Sequence, residues 1–268
     1  MSYKTVCVAG GGVLGSQIAF QAAYCGFDVT IWLRSEGSIG RTQPKIDHVR
    51  EEYIAAIEGM ADGTGEWCAG IADSGKPFDK EAALAAVERA YSTLKLELDL
   101  AKAVADADLV IESMAEDTQA KIDFYKKLAP VLPQKTVVVT NSSTLLPSIF
   151  AKYTGRPEKY LSLHFANSIW KNNMTEVMAQ DQTDKRYFDE LVDFANDIRM
   201  LALPVNKEKN GYLLNSMLVP WLLSGLDLYV SGVSDPKSID LAWTRGTGAP
   251  KGPFLSLIHI SEPTRLRC

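Results

Sequence analysis

The stretch KTVCVAGGGVLGSQIAFQAAYCGFDVTIWL, residues 4–33, decides the fold. Its first six residues, KTVCVA, form the apolar run of a short buried strand. Gly10, Gly12 and Gly15 follow in GxGxxG spacing, with Val13 and Leu14 between the last two. Residues 16–25 then place Ile18, Ala19, Ala22 and Ala23 at helical spacing. Gly26 suits the end of that helix, and DVTIWL (28–33) is a second strand. Strand, turn, helix and strand in this order imply a parallel pair joined by a right-handed crossover.

In that setting the glycines have distinct tasks. Gly10 permits the tight turn, Gly12 lets the backbone approach a pyrophosphate, and Gly15 lets helix and strand pack closely. The helix N-terminus offers free N–H groups and a positive dipole end to the phosphates. The spacing therefore predicts dinucleotide binding, with Gly10, Gly12, Val13, Leu14 and Gly15 as its loop.

The end of the second strand is unusual. A carboxylate there would receive the ribose hydroxyls of NAD and repel the 2′-phosphate of NADP. The chain has Leu33, Arg34 and Ser35 instead. Arg34 can pair with a phosphate in a forked geometry and Ser35 can donate to it. The expected cofactor is NAD(P), leaning to NADP.

Further along, residues 44–60 and 79–94 read as helices, with Pro44 suited to a first turn. ADLVIES (107–113) reads as a strand and 117–132 as a helix. KTVVVT (135–140) is a continuous β-branched run, the signature of a strand buried on both faces. YLSLHF (160–165), TEVMA (175–179) and LALPV (201–205) are further strands. The Gly-rich connection 61–77 has no legible role. From Glu208 onward the pattern is helical only. The expected architecture is an α/β Rossmann-type, doubly wound sheet over residues 1–205, followed by an all-α C-terminal domain over 206–254. The apolar run 212–230 contains Asn215, Pro220 and Asp227, so a buried core helix is expected rather than a membrane span.

Composition narrows the class. Hydrophobic residues at 46% and charged residues at 23% are those of a soluble globular chain. A net charge of −5 argues against a non-specific nucleic-acid binder, which needs a basic face. The four cysteines form no CxxC pair and no metal-ligand spacing, so no metal is expected. With no evident signal peptide, a reduced cytoplasmic setting fits. Residues 255–265, LSLIHISEPTR, read like the translation of a transposase-type sequencing adapter, so 255–268 are expected to be a non-native tail.

Several later motifs agree in order and spacing with one family. NSST (141–144), HFANS (164–168), TEVM (175–178), LLNSMLVP (213–220), ESMAEDTQAK (112–121) and GTGAPKGPF (246–254) together resemble the 3-hydroxyacyl-CoA dehydrogenase family, including bacterial 3-hydroxybutyryl-CoA dehydrogenases. The resemblance spans nearly all of residues 3–254. It implies interconversion of short-chain L-3-hydroxyacyl-CoA and 3-oxoacyl-CoA by hydride transfer, within fatty acid metabolism. It implies His164 as general base, Glu176 as its partner, and Ser143 and Asn215 as substrate contacts. Glu116, Lys121, Asn141 and Asn167 are implied on the cofactor side. The chemistry suits these residue types: imidazole titrates near neutrality and can take the hydroxyl proton as the hydride leaves.

HFANS and IWKNN replace the family's proline-containing loop, which leaves acyl-chain preference open. A same-superfamily dehydrogenase of a non-CoA hydroxy acid or sugar acid is the alternative, since the same base chemistry serves both. A non-catalytic dinucleotide-binding protein is the alternative class. The family continues beyond KGPF with more helices, so the helical domain is expected to be incomplete, and the full-length protein a homodimer. No membrane partner is expected.

Overall fold

The computed structural model describes residues 3–258. His259, Cys268 and most of the expected tail lie outside the described residues. The chain divides into two compact units, one ending at Asn210 and one beginning at Gly211.

The first unit is built on an eight-stranded sheet. Its strands are β1 (Thr5–Ala9), β2 (Asp28–Trp32), β3 (Lys95–Glu97), β4 (Leu109–Glu112), β5 (Val137–Thr140), β6 (Tyr160–Phe165), β7 (Met174–Met178) and β8 (Leu201–Val205). Their order is β3-β2-β1-β4-β5-β6-β7-β8. Every neighbouring pair is parallel except β6–β7, which is antiparallel. Reversal of order at β1, where the chain crosses from β3 to β4, creates the crevice in which such sheets bind ligands.

Burial on both faces explains the unbroken apolar runs. In β1, Val6 and Val8 enter one core while Cys7 and Ala9 enter the other. In β5, Val137 and Val139 face the first core and Val138 the second. That is the period of two expected of a strand with helices on each side. The first core is closed by α1 (Val13–Tyr24), α2 (Glu36–Asp62), α3 (Lys80–Thr93) and α6 (Lys185–Asp197). The second is closed by α4 (Leu100–Val104) and α5 (Thr118–Leu128). The doubly wound expectation holds.

Two local readings shift, and two short elements are added. Pro44 does not open a helix: α2 begins at Glu36, with Ser35 at the N-cap position but making no side-chain cap bond, and Pro44 lies inside it. β3 and α4, with three and five residues, are too short to show a period and went unread. Residues 206–210 stay with the first unit, because the Lys209 N–H donates to Met178 Sδ at 3.3 Å and Asn210 Nδ2 to the Thr144 carbonyl at 2.8 Å.

The Gly-rich connection now has a role. Gly70 N–H donates to the Trp170 carbonyl at 3.1 Å, and the Gly70 carbonyl accepts from Gln21 Nε2 at 2.9 Å. A Cβ at Gly70 would lie 2.8 Å from Trp170 Cα and 2.9 Å from its carbonyl oxygen. The connection thus braces the HFANSIWKNN loop, whose Trp170 is buried against Tyr53 with ring centroids 5.3 Å apart. Gly70→Ala must push two backbones apart, so it is expected to cost about 1–3 kcal/mol in urea-denaturation measurements.

The second unit contains α7 (Leu214–Val230) and α8 (Pro236–Thr247), followed by the GTGAPKGPF turn. Asp240 on α8 is buried and accepts from the N–H groups of Phe254 and Leu255 at 2.9 and 3.0 Å. A Cβ at Gly252 would lie 2.3 Å from Asp240 Oδ1, so only glycine fits under that carboxylate. Residues 253–258 are helical, so the first residues of the expected tail continue the native turn. The expected burial of 212–230 is met only in part: Tyr212 and Gly225 are buried. Met217, Leu223 and Val230 are 66%, 56% and 75% exposed, while α8 and the turn pack on α7 within this unit. Among the described residues no helix is long and apolar enough to cross a membrane.

Candidate active site

The site forms where β4, β5 and β6 end beside the glycine loop. His164, next to last on β6, is paired in antiparallel register with Glu176 on β7. Residues directly opposite in such a pair hold their Cβ atoms within about 5.5 Å. The result is a His164 Nδ1–Glu176 Oε2 contact of 2.8 Å between two buried side chains. The other ring nitrogen, Nε2, lies 3.0 Å from Ser143 Oγ in the loop after β5. A carboxylate on Nδ1 favours the tautomer that carries its proton there and leaves Nε2 as the accepting nitrogen. The imidazole is therefore oriented from one side and presented to a hydroxyl on the other.

Ser143 is held in turn. Glu116, in the turn before α5, accepts from the Ser143 N–H at 2.8 Å, from Ser142 Oγ at 2.7 Å and from Thr144 Oγ1 at 3.1 Å. Asn141 ties the strand ends together. Its Oδ1 accepts from the Phe165 N–H at 3.1 Å, and its Nδ2 donates to Ser113 Oγ at 3.3 Å.

Lys121 is placed beneath the site. Its ammonium is fully buried, 2.6 Å from the fully buried carboxylate of Glu112 at the end of β4. Glu112 also accepts from the Met114 N–H at 2.7 Å, Tyr125 Oη at 3.0 Å and Thr140 Oγ1 at 2.7 Å. Lys121 is thus enclosed in the fold, where a cofactor-side ammonium was expected. Asn167 sits exposed in the loop after β6, and its carbonyl accepts from Asn172 Nδ2 at 2.8 Å. Asn215 belongs to the second unit, in the first turn of α7.

The glycine loop fits a dinucleotide. Gly10 has φ +120°, and a Cβ there would lie 2.5 Å from the Ser113 carbonyl oxygen. A Cβ at Gly15 would lie 2.1 Å from the Gly10 carbonyl oxygen. Gly12 is the N-cap of α1 with no side-chain cap, and nothing stands within 4 Å of its Cβ position. The first N–H groups of α1, at Val13 and Leu14, therefore begin beside open space, as phosphate oxygens require.

At the end of β2, Leu33 is buried and faces the loop: its Cδ2 would lie 2.8 Å from a Cβ at Gly11. Arg34 and Ser35 are exposed. The structure adds two residues that sequence reading missed. Ser38 Oγ lies 3.0 Å from Ser35 Oγ and accepts from Arg41 Nη2 at 3.0 Å. The spacing 35, 38, 41 is one helix face, but it was legible only with α2 starting at Glu36.

Cys7 is buried and Cys25 half-buried, both away from the site. Burial pushes the Cys7 thiol up to about 12 and the Cys25 thiol up to about 11, so neither supplies a thiolate near neutrality. A cavity of about 890 Å³, lined by residues including Tyr24, Cys25, Arg89 and Arg199, contains no member of the site.

Fold and glycine loop together define an oxidoreductase-type dinucleotide-binding fold, with a buried histidine–glutamate pair beside the loop. The chain belongs to the 3-hydroxyacyl-CoA dehydrogenase family: residues 5–209 match its NAD-binding domain and residues 211–260 its C-terminal domain. It is 29% identical over 262 residues to human mitochondrial hydroxyacyl-coenzyme A dehydrogenase, covering 97% of this chain and 77% of that one. It is 28% identical to 3-hydroxybutyryl-CoA dehydrogenase of Clostridioides difficile, covering 93% and 80%. A solved diketoreductase, described as performing dual catalysis of dicarbonyl compounds, is 42% identical with a TM-score of 0.78, covering 95% and 82%.

Proposed function

We propose that the protein interconverts a short-chain L-3-hydroxyacyl-CoA and its 3-oxoacyl-CoA by hydride transfer, with His164 as the acid–base residue. The observation that carries this reading is the Glu176–His164–Ser143 relay beside the glycine loop. In the oxidation direction, His164 Nε2 takes the proton of the 3-hydroxyl as the C3–H bond breaks. Glu176 stabilises the imidazolium so formed. Ser143 Oγ hydrogen-bonds the substrate oxygen and aligns it with the ring. Asn215 keeps the role of second substrate contact that the family resemblance implies. The bound nicotinamide supplies the hydride acceptor, or the donor in reverse.

A second substrate reading is favoured by one observation. The 42% identical relative acts on dicarbonyl compounds, and both readings need the same 3-carbonyl and the same base. Acetoacetyl-CoA and a free β-diketo ester, assayed side by side by consumption of reduced nicotinamide, separate them. Turnover of neither by active-folded protein, with cofactor still bound, would favour a non-catalytic dinucleotide-binding protein.

The cofactor reading is NADP. Arg34, Ser35, Ser38 and Arg41 gather at the start of α2, where the helix dipole also favours an anion, and Leu33 offers no carboxylate to repel it. Arg34→Ala and Arg41→Ala are each expected to raise the KM for NADPH about tenfold while changing that for NADH little. Equal effects on both cofactors would return these arginines to ordinary surface residues. Leu33→Asp is a poorer test, because Leu33 is buried and the change would cost stability as well.

The exposed apolar side chains of α7 suit a homodimer, and among the described residues the free Cys7, Cys25 and Cys68 suit the cytoplasm.

A further inference from the structure

We propose that Glu116 is a positioning residue that holds Ser143 in its catalytic place, an inference that rests on the reading of His164 and Ser143 above. Ser143 lies in a loop, outside the sheet's hydrogen-bond ladder, yet its hydroxyl must stay near His164 Nε2. The Glu116 carboxylate supplies the restraint. One oxygen accepts from the Ser143 N–H, which fixes the peptide plane entering the residue. The other accepts from the hydroxyls on both sides, Ser142 Oγ and Thr144 Oγ1.

The rest of the loop is pinned in the same direction. Ser142 N–H donates to Thr140 Oγ1 at 3.1 Å, and Ser142 Oγ accepts from the Leu145 N–H at 3.0 Å. With that bond made, the Ser142 hydroxyl proton points to Glu116. The Thr144 carbonyl accepts from Asn210. Two carboxylates thus set the two sides of the site: Glu176 the imidazole, Glu116 the hydroxyl. Of these, only Glu116 is exposed and reaches the loop from a different strand's end, so it can be replaced without opening the core.

The family resemblance implies instead that Glu116 touches the cofactor. The two roles make opposite predictions in a double-mutant cycle. Under the positioning role, Glu116→Ala lowers kcat about tenfold to a hundredfold, as expected for a misplaced reacting group. It leaves the dissociation constant of reduced cofactor, read by nicotinamide fluorescence, unchanged. In a Ser143→Ala background the same change adds no further loss. Glu116→Gln, which keeps one acceptor, falls between wild type and Glu116→Ala. A weakened cofactor constant, or losses that add in the double variant, would overturn the proposal.

A readout without turnover keeps the test apart from the substrate assignment. The Nε2 nitrogen chemical shift of His164 at fixed pH should change in the same direction in Glu116→Ala and Ser143→Ala. A shift moved by Ser143→Ala and untouched by Glu116→Ala would also overturn it, whatever the substrate proves to be. If wild type turns over neither carbonyl compound while both variants move this shift together, the positioning role stands and the reaction assignment fails.

Discussion

His164→Ala is expected to lower kcat by a factor of about 10²–10⁴, the contribution of a positioned general acid–base. Reduced-cofactor affinity should be unchanged, since the glycine loop and the start of α2 do not include the ring. The loss should shrink at high pH in the oxidation direction, where hydroxide can replace the missing base. Glu176→Gln should cost less than His164→Ala, because the ring would still be present but less well oriented and its charged form less stabilised. Stopped-flow measurement of the hydride step in both variants checks the order. A His164→Ala protein that keeps most of its rate would remove the base assignment, and the relay with Glu176 and Ser143 would then be only a buried polar contact.

The difference between what the chain shows and what the structure adds follows from range. β1, α1 and β2 were legible because each carries its own period and the glycines mark the turns between them. β5 was legible because burial on both faces leaves only β-branched residues. β3 and α4 were not, since three to five residues hold no period. The start of α2 was misplaced because a proline within a helix reads like one at its opening, and that error hid Ser38 and Arg41 from the cofactor reading. α7 read as core from its apolar content, but content does not say which neighbours cover it.

The site shows the same limit. That His164 faces Glu176 is a matter of strand register, which the eleven residues of intervening chain do not reveal; the pair was found through family motifs, and the register explains it. Lys121 was found by the same motifs, which say nothing of the buried pair it makes with Glu112. Motif spacing identifies a residue without saying whether its side chain points into a crevice or into the core beneath it.

Lys121→Met is the variant expected to cost most stability. Lys121 Nζ and the Glu112 carboxylate are 2.6 Å apart with no exposed surface on either side chain. Removing the ammonium leaves a buried negative charge whose remaining donors are the Met114 N–H and the hydroxyls of Tyr125 and Thr140. Breaking one side of such a pair costs about 3–5 kcal/mol, whereas replacing both partners can be nearly neutral. Urea denaturation should therefore show a large fall in midpoint for Lys121→Met and a partial return in Glu112→Gln/Lys121→Met. The hydroxyls of Tyr125 and Thr140 can turn to suit the amide, which is why the return is expected. The loss should reach the site as well. Glu112 receives the Met114 N–H beside Ser113, whose carbonyl packs on Gly10, and Thr140 receives the Ser142 N–H in the serine loop. Lys121→Met should thus weaken both cofactor binding and turnover through a loosened floor. Glu112→Gln/Lys121→Met should restore them together with stability. If instead Lys121→Met keeps its urea midpoint and loses cofactor affinity alone, the ammonium leaves its buried pair during binding and faces the dinucleotide directly.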